Sequence, residues 1–106
     1  MLVRNAPSPF HQQVWKATKL IPRGKVATYG TIARMVGRPG SARAVGNALN
    51  KNPYAPVVPC HRVVRSDGKV GGFASGTQKK MNMLHSEGVK VMNGKVLGLE
   101  NYLYKK

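Results

Sequence analysis

The segment Thr28-Tyr29-Gly30-Thr31-Ile32-Ala33-Arg34-Met35-Val36-Gly37-Arg38-Pro39-Gly40-Ser41-Ala42-Arg43-Ala44-Val45-Gly46-Asn47-Ala48-Leu49-Asn50 reads as two short helices and the turn between them. Thr28 is placed to cap the first helix, Tyr29 to Val36, and Gly37 to end it. Arg38-Pro39-Gly40 makes a tight turn, and Ser41 is placed to cap a second helix reaching about Asn50. Two short helices across a glycine-containing turn predict a helix-turn-helix. At about 100° per residue, Ala42, Val45 and Leu49 form an apolar stripe on the second helix, opposite Arg43, Asn47 and Asn50. Ala44 and Gly46 keep the polar side low, which suits a helix pressed against DNA. An ordinary amphipathic surface helix would show the same pattern.

Upstream, Ser8-Pro9 predicts a helix start, and Phe10, Val14, Ala17 and Ile21 recur at helical spacing until Pro22-Arg23-Gly24. Trp15 is assigned to core packing, and Lys25-Val26-Ala27 to a short extended lead into Thr28. Downstream, two prolines within Asn52-Pro53-Tyr54-Ala55-Pro56 exclude both helix and central strand. Val57-Val58 and His61 to Val64 are predicted as short buried strands flanking Pro59-Cys60. Ser66-Asp67-Gly68-Lys69 is a hairpin-type turn suited to a wing. The loop Gly71-Gly72-Phe73-Ala74-Ser75-Gly76 precedes a helix from Thr77 to Glu87 closed by Gly88, and Asn93-Gly94 marks a terminal hairpin. The expected fold is mostly α with short β segments, a winged helix-turn-helix-like single domain over residues 1–106.

Charge narrows the function. Eighteen Lys and Arg stand against three acids, for a net charge of +15. A field that strong favours polyanions, and nucleic acid is the expected partner. Charge alone leaves open a ribosomal-type RNA binder, an anionic-membrane binder and a solvated surface. No apolar run approaches the roughly 20 residues that span a bilayer, so no membrane partner is expected. Met1 to Pro7 lacks the apolar centre of a signal peptide. A reducing, intracellular location follows: nucleoid-associated cytoplasm in a prokaryote, the nucleus in a eukaryote.

The single cysteine excludes an internal disulfide and any multi-cysteine zinc site. Cys60 is therefore a small buried hydrophobe or a chemically used thiol, and its neighbours decide between them. A thiol reacts as thiolate, which Arg62, Arg65 and the general positive field favour. In a turn, the imidazole of His61 reaches the thiol directly or through a water. An orienting acid must come from Asp67, Glu87 or Glu100. Glu87, three residues after Leu84, either leans inward as part of a Cys60–His61–Glu87 relay or stays on the surface near its helix end.

Pro59-Cys60-His61-Arg62-Val63-Val64 resembles the active-site motif of the O6-alkylguanine-DNA alkyltransferases, with its Pro-Cys-His-Arg-Val core. Gly24-Lys25-Val26-Ala27-Thr28-Tyr29-Gly30 is similar to that family's entry to the helix-turn-helix, and Ala42-Arg43-Ala44-Val45-Gly46 to its recognition helix. Asn52-Pro53 resembles its hinge, and Leu84-His85-Ser86-Glu87-Gly88 the end of its last catalytic helix. The similar segments run from roughly Pro9 to Val91 in family order.

The resemblance implies direct, irreversible transfer of an alkyl group from O6-alkylguanine in duplex DNA onto Cys60, without cofactor or metal. His61 would draw the thiol proton through a water, Glu87 would orient the imidazole, and Tyr29 would protonate the departing base. Arg43 would hold the gap left by the flipped nucleotide, with Thr28, Ala42, Gly46 and Asn47 on the DNA. Pro59, Val63, Phe73, Ala74 and Ser75 would line the pocket, and Asn52 would fix the hinge. Phe73 and Ser75 stand where the family commonly has Tyr and Gly, so weak acceptance of benzyl-sized groups is expected. The family usually has two domains; the similarity covers its DNA-binding and catalytic half, and the N-terminal domain is expected to be absent. A monomer is expected, with excision-repair proteins or a separate N-terminal-type domain as candidate partners. The alkyltransferase-like proteins, similar in length, bind the same lesions without repair and carry another residue, often Trp, in place of Cys60. Lesion flagging is therefore the alternative, and a plain winged-helix regulator with an inert Cys60 the third reading.

Overall fold

The computed structural model describes residues 8–71 and 76–104. Helix α1, Pro9–Lys19, starts at Ser8, whose side chain accepts from the His11 amide (3.1 Å), with Pro9 pre-set for the first turn. A short strand β1, Ala27–Thr28, leads into α2, Tyr29–Met35. Thr28 caps α2 by accepting from the Thr31 amide (3.0 Å). Gly37, at φ +76°, closes α2 while the amides of Gly37 and Arg38 reach the carbonyls of Arg34 and Ala33. Helix α3, Ala42–Asn50, follows as the second helix of the pair. Ser41 stands at its N-terminal boundary but makes no side-chain cap, in contrast to the expectation. Its carbonyl accepts from Val45 (3.0 Å), so the first turn closes through backbone alone.

Two predicted strands are corrected. Val57-Val58 is turn and bend, with Val57 66% exposed, because Val58 N–H bonds back to the Tyr54 carbonyl (3.0 Å). Prolines 53, 56 and 59 leave that segment too few free amides for a strand ladder. Cys60–Arg62 is a single 3₁₀ turn, and only Val63–Val64 forms strand β2. Strand β2 runs parallel to β1, with Ala27 opposite Val63 and Thr28 opposite Val64.

That two-stranded pair divides the core. Alternate residues point to opposite faces. Ala27 and Val63 pack with Val14, Trp15, Ile32, Val45 and Leu49 under the helix-turn-helix. Val26 and Val64 pack with Val70, Leu84, Val89 and Val96 on the other face. Trp15 donates its ring N–H to the Ala48 carbonyl (2.8 Å), fastening α1 to α3.

Helix α4, Thr77–Ser86, ends with Glu87 and then Gly88 at φ +88°. The Gly88 and Val89 amides return to the carbonyls of His85 and Leu84, and buried Val89 and Leu84 seal the cap. Strands β3, Val91–Met92, and β4, Lys95–Val96, form an antiparallel hairpin. Asn93 and Gly94 both take positive φ at its turn, as expected of an Asn-Gly pair. The 66–69 turn is closed by Arg65 N–H to Lys69 O (2.8 Å) and leans on this hairpin through Lys69 opposite Lys95. Among the described residues no helix is long and apolar enough to cross a membrane.

Candidate functional site

Parallel pairing of β1 with β2 brings the start of α2 beside the 3₁₀ turn, so Tyr29 and Cys60 pack against the same core cluster although 31 positions apart in sequence. Buried Pro59 sets the turn, and the Cys60 amide bonds to the Val58 carbonyl (2.8 Å). Asn52 clips the loop before it, donating to Val58 O (3.0 Å) and accepting from the Tyr54 amide (2.9 Å). Cys60 is a free, half-buried thiol.

Behind it lies an ionic cluster. His61 is 2% exposed, and its Nε2 sits 3.1 Å from Glu87 Oε2 without any well-aligned hydrogen bond. Burial lowers the His61 pKa and outweighs the carboxylate that would raise it. The ring is therefore neutral at pH 7, the form that accepts a proton. Glu87 also receives a bidentate fork from Arg62, Nε to Oε1 (2.9 Å) and Nη2 to Oε2 (2.7 Å). Burial pushes the Glu87 carboxyl up, but Arg62 and His61 together hold it below the usual range. The Arg62 Nη1 donates to the Ile21 carbonyl (2.9 Å). Arg62 thus points at Glu87, and the expected direct influence on the thiol is not how its charge is used. A carboxylate at the C-terminal end of a helix is disfavoured by the helix dipole, which makes this pairing necessary.

Lys80, on α4, is the residue that reading the sequence missed. It is fully buried and donates to the Val63 carbonyl (2.7 Å) and to the Tyr29 hydroxyl (3.3 Å). Its ammonium also lies 5.6 Å from the centre of the Tyr29 ring. Burial pushes its pKa down to about 8, opposed by the charge of Cys60. The Tyr29 hydroxyl is pushed up by burial first and then by Cys60, with Arg65 opposing. A signal was available: Lys80, Leu84 and Glu87 recur at helical spacing, one inward face of α4. Lysine is so seldom buried that this spacing does not by itself mark it as inward-facing.

Tyr29 also lines an open groove of about 610 Å³, together with Ala42, Arg43, Gly46, Asn47, Arg65 and Gly71. Arg43 and Asn47 are exposed on α3, and Ala42 and Gly46 half-buried. A Cβ on Gly46 would lie 3.8 Å from the Tyr29 ring, whereas one on Gly71, at φ +78°, would meet the Tyr29 hydroxyl at 3.0 Å. Gly71 thus allows the phenol its position. The Thr28 hydroxyl is engaged with Thr31, and the Val63 side chain is fully buried in the core. Phe73, Ala74 and Ser75 lie outside the described residues. Among the described residues no group of three or more His, Cys, Asp or Glu could hold a metal ion.

Comparison with known proteins matches residues 9–89 to the family described as 6-O-methylguanine DNA methyltransferase, DNA binding domain. A methylated-DNA–protein-cysteine methyltransferase of Shigella flexneri is 49% identical over 81 residues, 76% of this chain and 47% of that protein. The chain spans about half the length of the curated relatives it matches. Mycobacterium tuberculosis OGT in complex with DNA superposes with a TM-score of 0.76 at 46% identity, over 77% of this chain and 51% of that one. Schizosaccharomyces pombe Atl1, solved with damaged DNA containing O6-carboxymethylguanine, gives a TM-score of 0.84 at 37% identity, over 95% of this chain and 99% of that one.

Proposed function

Because the chain belongs to the 6-O-methylguanine DNA methyltransferase family through its DNA-binding domain, we propose that it removes a methyl group from O6 of guanine in duplex DNA and keeps it on Cys60. The observation that supports this reading is a free, half-buried thiol that neighbours a neutral buried imidazole in the chain and packs against the same core cluster as a phenol. Oxygen O6 lies inside the base stack, so the nucleotide must first swing out into the protein. Arg43, exposed on α3, would fill the vacated position and offset part of the few kcal/mol that extrusion costs. His61, neutral and backed by Glu87, takes the thiol proton through a water. The Cys60 sulfur then attacks the methyl carbon in line with the C–O bond, whose electron pair leaves with guanine. Tyr29 delivers a proton to the base as it departs. The thioether formed is stable, so each molecule acts once.

A second reading has its own observation. Atl1 matches nearly end to end, whereas the methyltransferases extend to about twice this length. Lesion binding without transfer is therefore the competing outcome. Intact-protein mass spectrometry after incubation with a duplex carrying O6-methylguanine separates the two, with Cys60→Ser as control. One methyl gained on Cys60, with guanine restored, is the expected result. Tight, lesion-selective binding without a mass change would move the protein to the flagging class.

A further inference from the structure

Besides the groove along α3, the fold builds a second concentration of positive charge. Three neighbouring stretches of chain each turn a valine inward and a cation outward. Val64, Val70 and Val96 are buried in one core cluster, while Arg65, Lys69 and Lys95 stand exposed beside them. Arg65 N–H to Lys69 O (2.8 Å) joins the first two stretches across the 66–69 turn, and Lys69 then faces Lys95. The bonds flanking that pair run from Val70 N–H to Gly94 O (2.9 Å) and from Val96 N–H to Gly68 O (2.8 Å). They make it the non-hydrogen-bonded kind of antiparallel pair, in which side chains stand closest. A Cβ on Gly68 would meet Lys95 Cε at 3.2 Å and Cγ at 3.3 Å, so the Lys95 stem lies along the turn.

Like charges directly opposite destabilise a strand pair, so folding gains nothing from this arrangement. The acid at the turn is Asp67, which accepts from the Lys69 amide and sits 3.4 Å from Arg65. Both partners of that ion pair are about half exposed, so it is weak and readily exchanged for another anion. At strand spacings of about 4.8 Å the row spans roughly 10 Å, about the axial length of three nucleotides of one DNA strand. Its Arg65 end lines the same groove as Tyr29 and Arg43. Its Lys95 end lies beyond residues 9–89, the part matched to the family.

We propose that Arg65, Lys69 and Lys95 form a phosphate track that carries the DNA backbone out of the α3 groove and across the C-terminal hairpin. This rests on the reading of the chain as a binder of duplex DNA. Arg65 leaves Asp67 for a phosphate when the duplex docks, and the Lys69–Lys95 repulsion is relieved by the phosphate that both face. The track reads no base edge, so its contribution is the same for every sequence.

The test is the affinity of wild type and variants for an undamaged duplex, measured as a function of salt. Lys69→Gln/Lys95→Gln should bind roughly 10- to 100-fold more weakly at about 0.1 M salt, and its salt slope should be smaller than that of wild type by about 2. The control Lys16→Gln/Lys19→Gln removes equal charge from the exposed side of α1 and should lose far less. Asp67→Asn keeps an oxygen for the Lys69 amide and frees Arg65, and it should tighten binding severalfold. Shortening the duplex stepwise from each end should abolish the Lys69→Gln/Lys95→Gln deficit from one side only, the side that crosses the hairpin. A wild-type slope in Lys69→Gln/Lys95→Gln, a loss matched by the α1 control, or Asp67→Asn binding no tighter than wild type would overturn the proposal. Should the double lysine variant fail to fold, Asp67→Asn and the truncation series on wild type decide instead: no one-sided loss of affinity overturns it. No duplex binding by wild type would overturn the underlying reading and this inference together, whereas normal wild-type binding with any of the contrary patterns overturns this inference alone.

Discussion

On the helix-turn-helix, Arg43 and its neighbours stand in solvent along an open groove; around the 3₁₀ turn and α4, Arg62 and Lys80 are withdrawn among carboxylate, carbonyls and phenol. The two regions share one sheet of two strands and use positive charge for different ends. Exposed cations are screened within about 10 Å at 0.1 M salt and each contributes little to stability. Buried ones are hardly screened, and their removal or isolation is felt strongly. A net charge of +15 counts both kinds alike. It predicts attraction to DNA and says nothing of the chemistry behind it.

Glu87→Gln should break the second region most severely. It strips Arg62 and His61 of their shared counter-charge, and loss of one partner of a buried pair costs about 3–5 kcal/mol. Denaturant unfolding would measure this, and a loss below about 1 kcal/mol would show the cluster to be solvated. Lys80 should act in the opposite sense. Its folded pKa, about 8, lies below its ordinary 10.5, so between these values only the unfolded chain holds the proton. Stability should therefore rise from pH 8 to 10, by a total on the order of 3 kcal/mol if the whole shift is realised. Above 10 the raised Tyr29 pKa opposes it, since the unfolded phenol ionises first. Flat stability across pH 8 to 10 would contradict the buried ammonium.

On the acid side the sign also follows from geometry. His61 is depressed, so its contribution is complete above about 6.5 and is lost as pH falls below it. Glu87, likewise depressed, adds a loss at lower pH still. Gly71→Ala comes next in size. Positive φ and a 3.0 Å meeting with the Tyr29 hydroxyl should cost roughly 1–3 kcal/mol and displace the phenol. Arg43→Ala should change stability least, within about 0.5 kcal/mol, while impairing repair in duplex DNA more than binding to undamaged DNA. Equal repair rates on duplex would remove Arg43 from the flipping step.

The two regions were also unequally legible. Caps and glycine stops at Ser8, Thr28, Gly37 and Gly88 act over a few residues, so the helices could be read directly. Ser41 shows the limit, since a residue suited to capping need not cap. Val57-Val58 has strand-forming side chains, yet the prolines and the Asn52 clip hold it in a turn. The Cys60–His61–Glu87 set followed from a motif, and the structure brings His61 and Glu87 to 3.1 Å. Lys80 and the Arg62 fork arise only once α4 is laid against β2, a contact no local pattern encodes.

The division between the two kinds of cation is tested most directly by one salt titration on wild type, reading duplex affinity and the single-turnover rate of the saturated complex together. Between about 50 and 200 mM salt the affinity should fall roughly a hundredfold or more, as phosphate contacts are screened. The saturated rate should hold nearly constant, because Arg62 and Lys80 lie out of reach of the salt. A saturated rate that fell in step with affinity would mean that the same exposed charges serve both binding and chemistry.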